Sequence, residues 1–112
     1  MIETVEDIDI QDYLVKNPIS TYLMRVAGLS MSGPNTGIYP RDIIVVDKAA
    51  PYRNNSIVVA AVNGEFTMKR LKNIQGSWEL HPDNSNYPII KIDPEDEVTI
   101  FGVVVGVTRK LI

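Results

Sequence analysis

Two side chains in this sequence have the types and surroundings of a nucleophile and its base. Ser30 stands in Gly28-Leu29-Ser30-Met31, directly after a predicted strand, and Lys69 follows the turn dipeptide Asn63-Gly64. A serine hydroxyl attacks a carbonyl only when a base accepts its proton, and the usual base is imidazole. The single histidine, His81, lies beside Pro82 at a predicted strand end, where we expect a packed or exposed ring. Lys69 is therefore the candidate base.

A lysine can serve as that base only when its amine is neutral. Its reference pKa of about 10.4 must then fall by about three, which corresponds to about 4 kcal/mol, and burial among apolar groups has this effect. Asn-Gly favours a two-residue type I′ hairpin, which places Lys69 opposite Val58 on a face of small and apolar side chains. The other candidate cations, Arg70, Lys72 and Lys48, fall on the opposite face or in turns.

The elements that would position this pair are mostly short strands. Asp9 is expected to cap one short helix that ends before Pro18, and an alternating pattern predicts a strand from Thr21 onward. Turn-forming residues over 32–40 predict a surface loop after Ser30. The remaining predicted strands are Ile43–Val46, Ser56–Val62, Glu65–Leu71, Trp78–His81, Ile89–Ile92 and Val98–Thr108, the last with bulges or a bend at Gly102 and Gly106.

These elements predict a mostly β, single compact domain with an antiparallel or mixed sheet and one short N-terminal helix. We expect residues 1–8 to form a flexible arm and residues 9–112 to form the folded domain. Gly28 would let the backbone approach a substrate, and the amides of Leu29 and Ser30 are candidate oxyanion donors. On pattern alone, Ser30 also fits an ordinary turn serine and Lys69 a solvated hairpin lysine.

Composition limits the classes of function. A chain of 112 residues with a net charge of −3 has room for one core and lacks the basic surplus typical of proteins that neutralise nucleic-acid phosphates. Without cysteine and with one histidine, it offers no thiol nucleophile, disulfide framework or structural zinc set, and we expect no cofactor. The acidic N-terminus and the lack of a membrane-spanning apolar stretch favour a cytoplasmic protein.

Several ordered blocks resemble the LexA/UmuD autopeptidases. The nucleophile segment of that family is similar to Tyr22–Met31 with Gly37–Asp47, and its lysine hairpin is similar to Ile57–Leu71. Leu80–Tyr87 matches its Leu-x-Pro-x-Asn-x-x-Tyr loop, and Phe101–Val107 its closing strand. The resemblance covers about Asp9 to Arg109 and is strongest to processed UmuD-type members.

The resemblance implies a fold of the LexA/signal-peptidase type, with Ser30 as nucleophile and Lys69 as general base. It further implies a homodimer, an encounter with the RecA–DNA filament and service to the catalytic subunit of an error-prone lesion-bypass DNA polymerase in the SOS response. No direct sequence-specific DNA binding and no membrane association are implied.

Three features depart from the family pattern. Leu29 stands where an acidic residue is usual, and the loop over 32–36 is longer than usual. No Cys-Gly or Ala-Gly cleavage dipeptide occurs among residues 1–26, and Ala27-Gly28 is too near Ser30 to be presented to it. We therefore expect a chain that begins after the cut, a naturally short form or an isolated peptidase domain, in which the self-processing centre is spent.

Other readings stay open at this point. The chain could be the catalytic C-terminal domain of a LexA-like repressor or a peptidase that acts in trans. A relative of type I signal peptidases shares the serine and lysine logic but would need a membrane anchor. A β interaction module with a vestigial dyad is the last alternative, and its lysine would titrate at the ordinary value.

Overall fold

The fold is one antiparallel sheet of seven strands in the order β1-β2-β7-β3-β4-β5-β6. The structure is a computed structural model that describes residues 1–112. The strands are β1 (Thr21–Arg25), β2 (Ile43–Asp47), β3 (Ile57–Val62), β4 (Glu65–Ile74), β5 (Ser77–His81), β6 (Ile90–Lys91) and β7 (Val98–Thr108), and the single α-helix is α1 (Ile10–Leu14). The expected mostly β fold with one short N-terminal helix is confirmed.

The helix α1 begins where the sequence predicts and ends early. The side chain of Asp9 accepts a hydrogen bond from the Asp12 backbone N–H, as expected of an N-cap. A 3₁₀ turn that was not predicted follows over Pro18–Ser20, and the buried carboxylate of Asp47 accepts hydrogen bonds from Asn17 and Ser20 beside it. These hydrogen bonds lower the pKa of Asp47, and the bond from Ser20 has the largest effect.

The predicted hairpin between β3 and β4 is confirmed. Asn63 and Gly64 have φ of 49° and 89°, as a type I′ turn requires, and Lys69 pairs with Val58. A second turn of the same kind at Gln75-Gly76, with φ of 52° and 88°, was not predicted. It lets β4 continue to Ile74 and pair with β5, so this strand is longer than its apolar pattern indicated.

The long strand β7 lies between β2 and β3 and has two irregularities. Its register shifts beside Gly102 against β3 and beside Gly106 against β2, where the sequence predicts bulges or a bend. At Gly102 a Cβ would lie 2.8 Å from a methyl carbon of Val46, so only glycine lets the two strands pack this closely. Strand β6 is shorter than the predicted Ile89–Ile92, although the Ile92 N–H still donates to the Trp78 carbonyl oxygen at 3.3 Å.

Apolar side chains form two clusters that share strand β3. One contains Met31, Ile38, Ile44, Val46 and Val59. The other contains Val58, Ala60, Leu71 and Leu80. Because neighbouring residues of a strand point to opposite faces, Val58 and Val59 serve different clusters. Helices long and apolar enough to cross a membrane are absent from the chain.

Candidate active site

Ser30 and Lys69 meet although 39 positions separate them. Lys69 Nζ lies 3.1 Å from Ser30 Oγ, which is hydrogen-bond distance. The other polar atom near the hydroxyl is the Met68 carbonyl oxygen, at 3.5 Å. The shorter separation favours the amine as the partner of the Ser30 hydroxyl.

The residue after Ser30 fixes its position. The Met31 side chain is 1% exposed and packs in the first apolar cluster with Ile38, Ile44 and Val59. On the other side of Ser30, Gly28 has φ of 108°, in the region that residues with a Cβ rarely adopt. Ser30 therefore lies between a buried anchor and a turn that requires glycine.

A second loop, over residues 82–87, packs on the loop that carries Ser30. The Asn84 backbone N–H donates to the Ser30 carbonyl oxygen at 2.9 Å, and Asn84 Nδ2 donates to the Leu29 carbonyl oxygen at 3.1 Å. At Gly33 a Cβ would lie 2.1 Å from the carbonyl oxygen of Asp83, so a side chain there would force the loops apart. Thr36 donates a short hydrogen bond to the Asp83 carboxylate. The two loops thus form one packed unit around Ser30.

Lys69 lies in an apolar setting without a counterion. Its side chain is buried, with 7% of the residue exposed, and it forms no salt bridge. Burial lowers the pKa of Lys69, because an ammonium group loses more hydration than a neutral amine does. Thr67, on the same face of β4, has its Oγ1 2.5 Å from Nζ. This hydroxyl gives the amine a second partner and orients it toward Ser30.

The other basic groups named from the sequence do not join the site. The Arg70 guanidinium pairs with Asp83 at 3.3 Å, and strand alternation places Lys72 with Arg70 on the face opposite Lys69. His81 Nε2 lies 2.8 Å from Glu79 Oε1, as expected of a packed ring with a structural role. Of the basic groups considered from the sequence, Lys69 is the one that lies at hydrogen-bond distance from Ser30.

The candidate oxyanion donors have no competing partners. The backbone N–H groups of Leu29 and Ser30 form no hydrogen bond within the chain. Their availability is what an oxyanion site requires, since donors already engaged could not bind a developing charge. The exposed side chain of Leu29 adds no charge beside Ser30.

A cleft of about 220 Å³ opens at Ser30. One wall is the Met24–Gly28 segment, and the other is Phe66–Met68 of β4. Strand β1 is an edge strand, so its outer backbone groups can pair with an extended peptide. The cleft therefore suits a peptide segment with small apolar side chains next to the hydroxyl.

This arrangement can perform acyl transfer. When its amine is neutral, Lys69 would accept the Ser30 proton while Oγ forms a bond to the peptide carbonyl carbon, and the carbonyl oxygen would take the negative charge. Collapse of this intermediate breaks the C–N bond, and the Lys69 ammonium returns the proton to the leaving amine. Water then releases the acyl group from Ser30, with the same amine as base.

Sequence reasoning missed two residues of the site as contributors. Strand alternation does place Thr67 on the same face as Lys69, but the pattern does not identify its hydroxyl as a hydrogen-bond partner of the amine. Asn84 was noted within a loop motif, and its contacts cross 52 to 55 positions of the chain. No periodicity relates residues so far apart.

The comparisons with known proteins identify the family of the chain. The Peptidase S24-like family matches residues 1–105 of the chain. The chain therefore belongs to this family of serine peptidase type, and the expected LexA/UmuD-type resemblance is confirmed.

Particular relatives include proteins named MucA and SamA and a LexA repressor. The chain is 39% identical to MucA of Salmonella typhimurium over 100 residues, which are 88% of this chain and 66% of MucA. It is 38% identical to SamA of Salmonella typhimurium over 107 residues, which are 96% of this chain and 72% of SamA. The LexA repressor of Delftia acidovorans is 42% identical over 88 residues, 79% of this chain and 38% of LexA. The chain thus spans less than two thirds of the length of MucA and LexA.

Proposed function

We propose that this chain is a UmuD-prime-like accessory subunit of an error-prone lesion-bypass DNA polymerase in the SOS response. In this proposal Ser30 is a nucleophile, Lys69 is its general base, and the amides of Leu29 and Ser30 form the oxyanion site. The observation that carries the chemistry is the 3.1 Å separation between Ser30 Oγ and a buried Lys69 Nζ without a counterion. Similarity to MucA and SamA over most of the chain supports the UmuD-like role.

The proposed partners are a second copy of the chain, the polymerase catalytic subunit and the RecA–DNA filament, all in the cytoplasm. Exposed apolar side chains support a protein partner. A groove between α1 and the sheet is lined by Ile10, Leu23 and other apolar residues, and these two are 72% and 65% exposed. Apolar side chains this exposed are typical of surfaces that other proteins cover. Residues 9–112 form the proposed peptidase domain, and residues 1–8 its arm.

A pull-down from cells that express the polymerase tests the accessory role. We expect the tagged wild-type chain and its Ser30→Ala variant to capture the polymerase catalytic subunit equally, because the variant changes one hydroxyl in the cleft and leaves the outer surface intact. A matched control is an unrelated tagged β domain. Failure of both forms to retain the polymerase would remove the accessory role.

The second candidate function is peptide cleavage in trans, either by the free chain or by the same domain of a LexA-like repressor. The open cleft beside Ser30 and the 42% identity to a LexA repressor favour this alternative. Peptides that contain Ala-Gly or Cys-Gly should be cleaved by the wild type and left intact by Ser30→Ala and Lys69→Ala. Equal cleavage by all three proteins would exclude the dyad as the catalyst.

A further inference from the structure

A basin of positive charge adjoins the candidate active site. Its lining includes four cationic side chains, Arg25, Arg41, Arg109 and Lys110, and all four are exposed. These are four of the eleven Lys and Arg residues of a chain whose net charge is −3. The one carboxylate side chain in the basin, Asp42, is 1% exposed and faces Arg109. Unbalanced positive charge therefore remains at the surface of the basin.

The basin is rigid at its centre. Arg109 donates two hydrogen bonds to Asp42, of 2.7 and 2.6 Å, and one of 2.7 Å to the Gly37 carbonyl oxygen. The Asp42 hydrogen bond also raises the pKa of Arg109, so its charge is permanent. The Arg109–Asp42 pair is thus a fixed centre, and the charge left for an anion belongs to Arg25, Arg41 and Lys110, which form no salt bridge.

The backbone of Arg41 has a strained conformation, and the Arg41 side chain makes no hydrogen bond or ion pair that would stabilise it. Its φ is 76°, in the left-handed region that costs a residue with a Cβ about 1 kcal/mol or more. The Arg41 backbone N–H donates to the Val26 carbonyl oxygen at 2.9 Å, while its guanidinium has no hydrogen-bond or ion-pair partner in the chain. The fold thus places a free guanidinium at the end of β1.

The basin and the Ser30 cleft share a wall. Arg25, the last residue of β1, lines both of them. An extended peptide advances about 3.3 Å per residue, so a segment that lies in the cleft reaches the basin within a few residues. Side chains at those positions of the peptide would lie over Arg25, Arg41 and Lys110.

We propose that the basin is a subsite for carboxylate side chains of an acidic peptide segment that leaves the Ser30 cleft. The proposal rests on the proposed function of the cleft as a peptide site and adds a charge preference to it. A peptide fits better than a single-stranded nucleic acid, which needs a longer basic groove and free aromatic faces for stacking bases. The ring of Tyr39, the aromatic residue of the basin, is already covered by the Arg109 guanidinium at 5.1 Å.

The test is peptide binding to the full chain with Ser30→Ala, which prevents turnover. The probes are fluorescent peptides of about twelve residues centred on Ala-Gly. One acidic peptide has two Glu residues before Ala-Gly, the other has two Glu residues after it, and each has a counterpart with Gln at the same positions. We expect one of the acidic peptides to bind about tenfold more tightly than its Gln counterpart at about 0.05 M salt, and the difference to shrink at about 0.3 M. The difference should also disappear in Arg41→Gln/Lys110→Gln and persist in the matched control Arg53→Gln/Lys91→Gln.

Three outcomes would overturn the proposal. They are equal binding of acidic and Gln peptides, a preference that survives in the Arg41→Gln/Lys110→Gln variant, and tighter binding of oligothymidylate that this variant abolishes. The last outcome would assign the basin to nucleic acid. Cleavage of the Gln peptide by the wild-type chain tests the cleft independently of charge, so loss of the charge preference alone leaves the proposed function standing.

Discussion

Replacing Thr67 with valine removes one hydroxyl from the site and keeps a β-branched side chain of similar shape. Thr67 Oγ1 is 2.5 Å from Lys69 Nζ and is its one polar partner besides Ser30. The hydroxyl accepts a hydrogen bond from the amine in either protonation state, and the bond to the charged ammonium is the stronger of the two. The variant should therefore affect both the pKa of Lys69 and the orientation of its amine.

The two effects change the rate of Ser30 modification in opposite directions, and a pH profile separates them because one moves its midpoint and the other lowers its plateau. A hydrogen bond is worth about 0.5 to 1.5 kcal/mol between neutral groups and about 1.5 to 3 kcal/mol to a charged group. Thr67→Val thus destabilises the ammonium more than the amine, which lowers the pKa of Lys69 further. Loss of the neutral bond that orients the amine should reduce the rate above the midpoint by about 2- to 13-fold.

The assay is the rate at which a sulfonyl fluoride modifies Ser30, followed by mass spectrometry across pH. We expect the midpoint of the Thr67→Val profile to move to lower pH and its plateau to fall. Thr99→Val is the matched control, because Thr99 is an exposed strand residue outside the site. An unchanged profile, or a midpoint that moves to higher pH, would refute the role of Thr67 as the residue that positions Lys69.

Three further substitutions test the loop packing beside Ser30, the burial of Lys69 and the Asp42–Arg109 pair. Gly33→Ala should lower the free energy of unfolding in urea by about 1 to 3 kcal/mol and slow Ser30 modification, because its Cβ would lie 2.1 Å from the Asp83 carbonyl oxygen; unchanged values would contradict the loop packing. Lys69→Met should raise the free energy of unfolding at neutral pH. Because burial lowers the pKa of Lys69, this gain should be largest at low pH and shrink as pH rises through the lowered value toward about 10.4; a gain independent of pH would contradict it. Asp42→Asn should lose less stability on acidification than the wild type does. The hydrogen bond from Arg109 lowers the pKa of Asp42, so the ionised carboxylate contributes fully to the free energy of unfolding above about pH 4, and this contribution disappears as pH falls through the lowered value. Equal acid sensitivity of Asp42→Asn and the wild type in urea titrations from about pH 5 to about pH 2 would refute this contribution.

Local turn chemistry explains why the lysine side of the site could be predicted. Asn63-Gly64 specifies a two-residue turn, and a turn of fixed length determines every pair in the hairpin, including Lys69 with Val58. The hairpin at Gln75-Gly76 was not predicted, because glutamine is not among the residues that usually adopt positive φ. The apolar pattern alone then ended β4 too early.

The serine side depends on contacts between distant loops, which local patterns do not encode. The family resemblance indicated Ser30, whereas its placement depends on Gly33 packing against Asp83 and on the hydrogen bonds of Asn84. The basic basin was missed for a related reason. Its lining comes from distant parts of the sequence, including Arg25, Arg41 and Arg109. The net charge of −3 gives no sign that these cations lie together in the fold.

The central claim is that Lys69 is a base because the fold buries its amine beside Ser30. A titration of the Lys69 Nζ and Cε resonances by NMR, assigned by their loss in Lys69→Arg, tests it most directly. We expect a pKa below the reference of about 10.4, because burial disfavours the ammonium. A pKa at the reference value would mean a charged Lys69 at neutral pH and would contradict the proposed dyad.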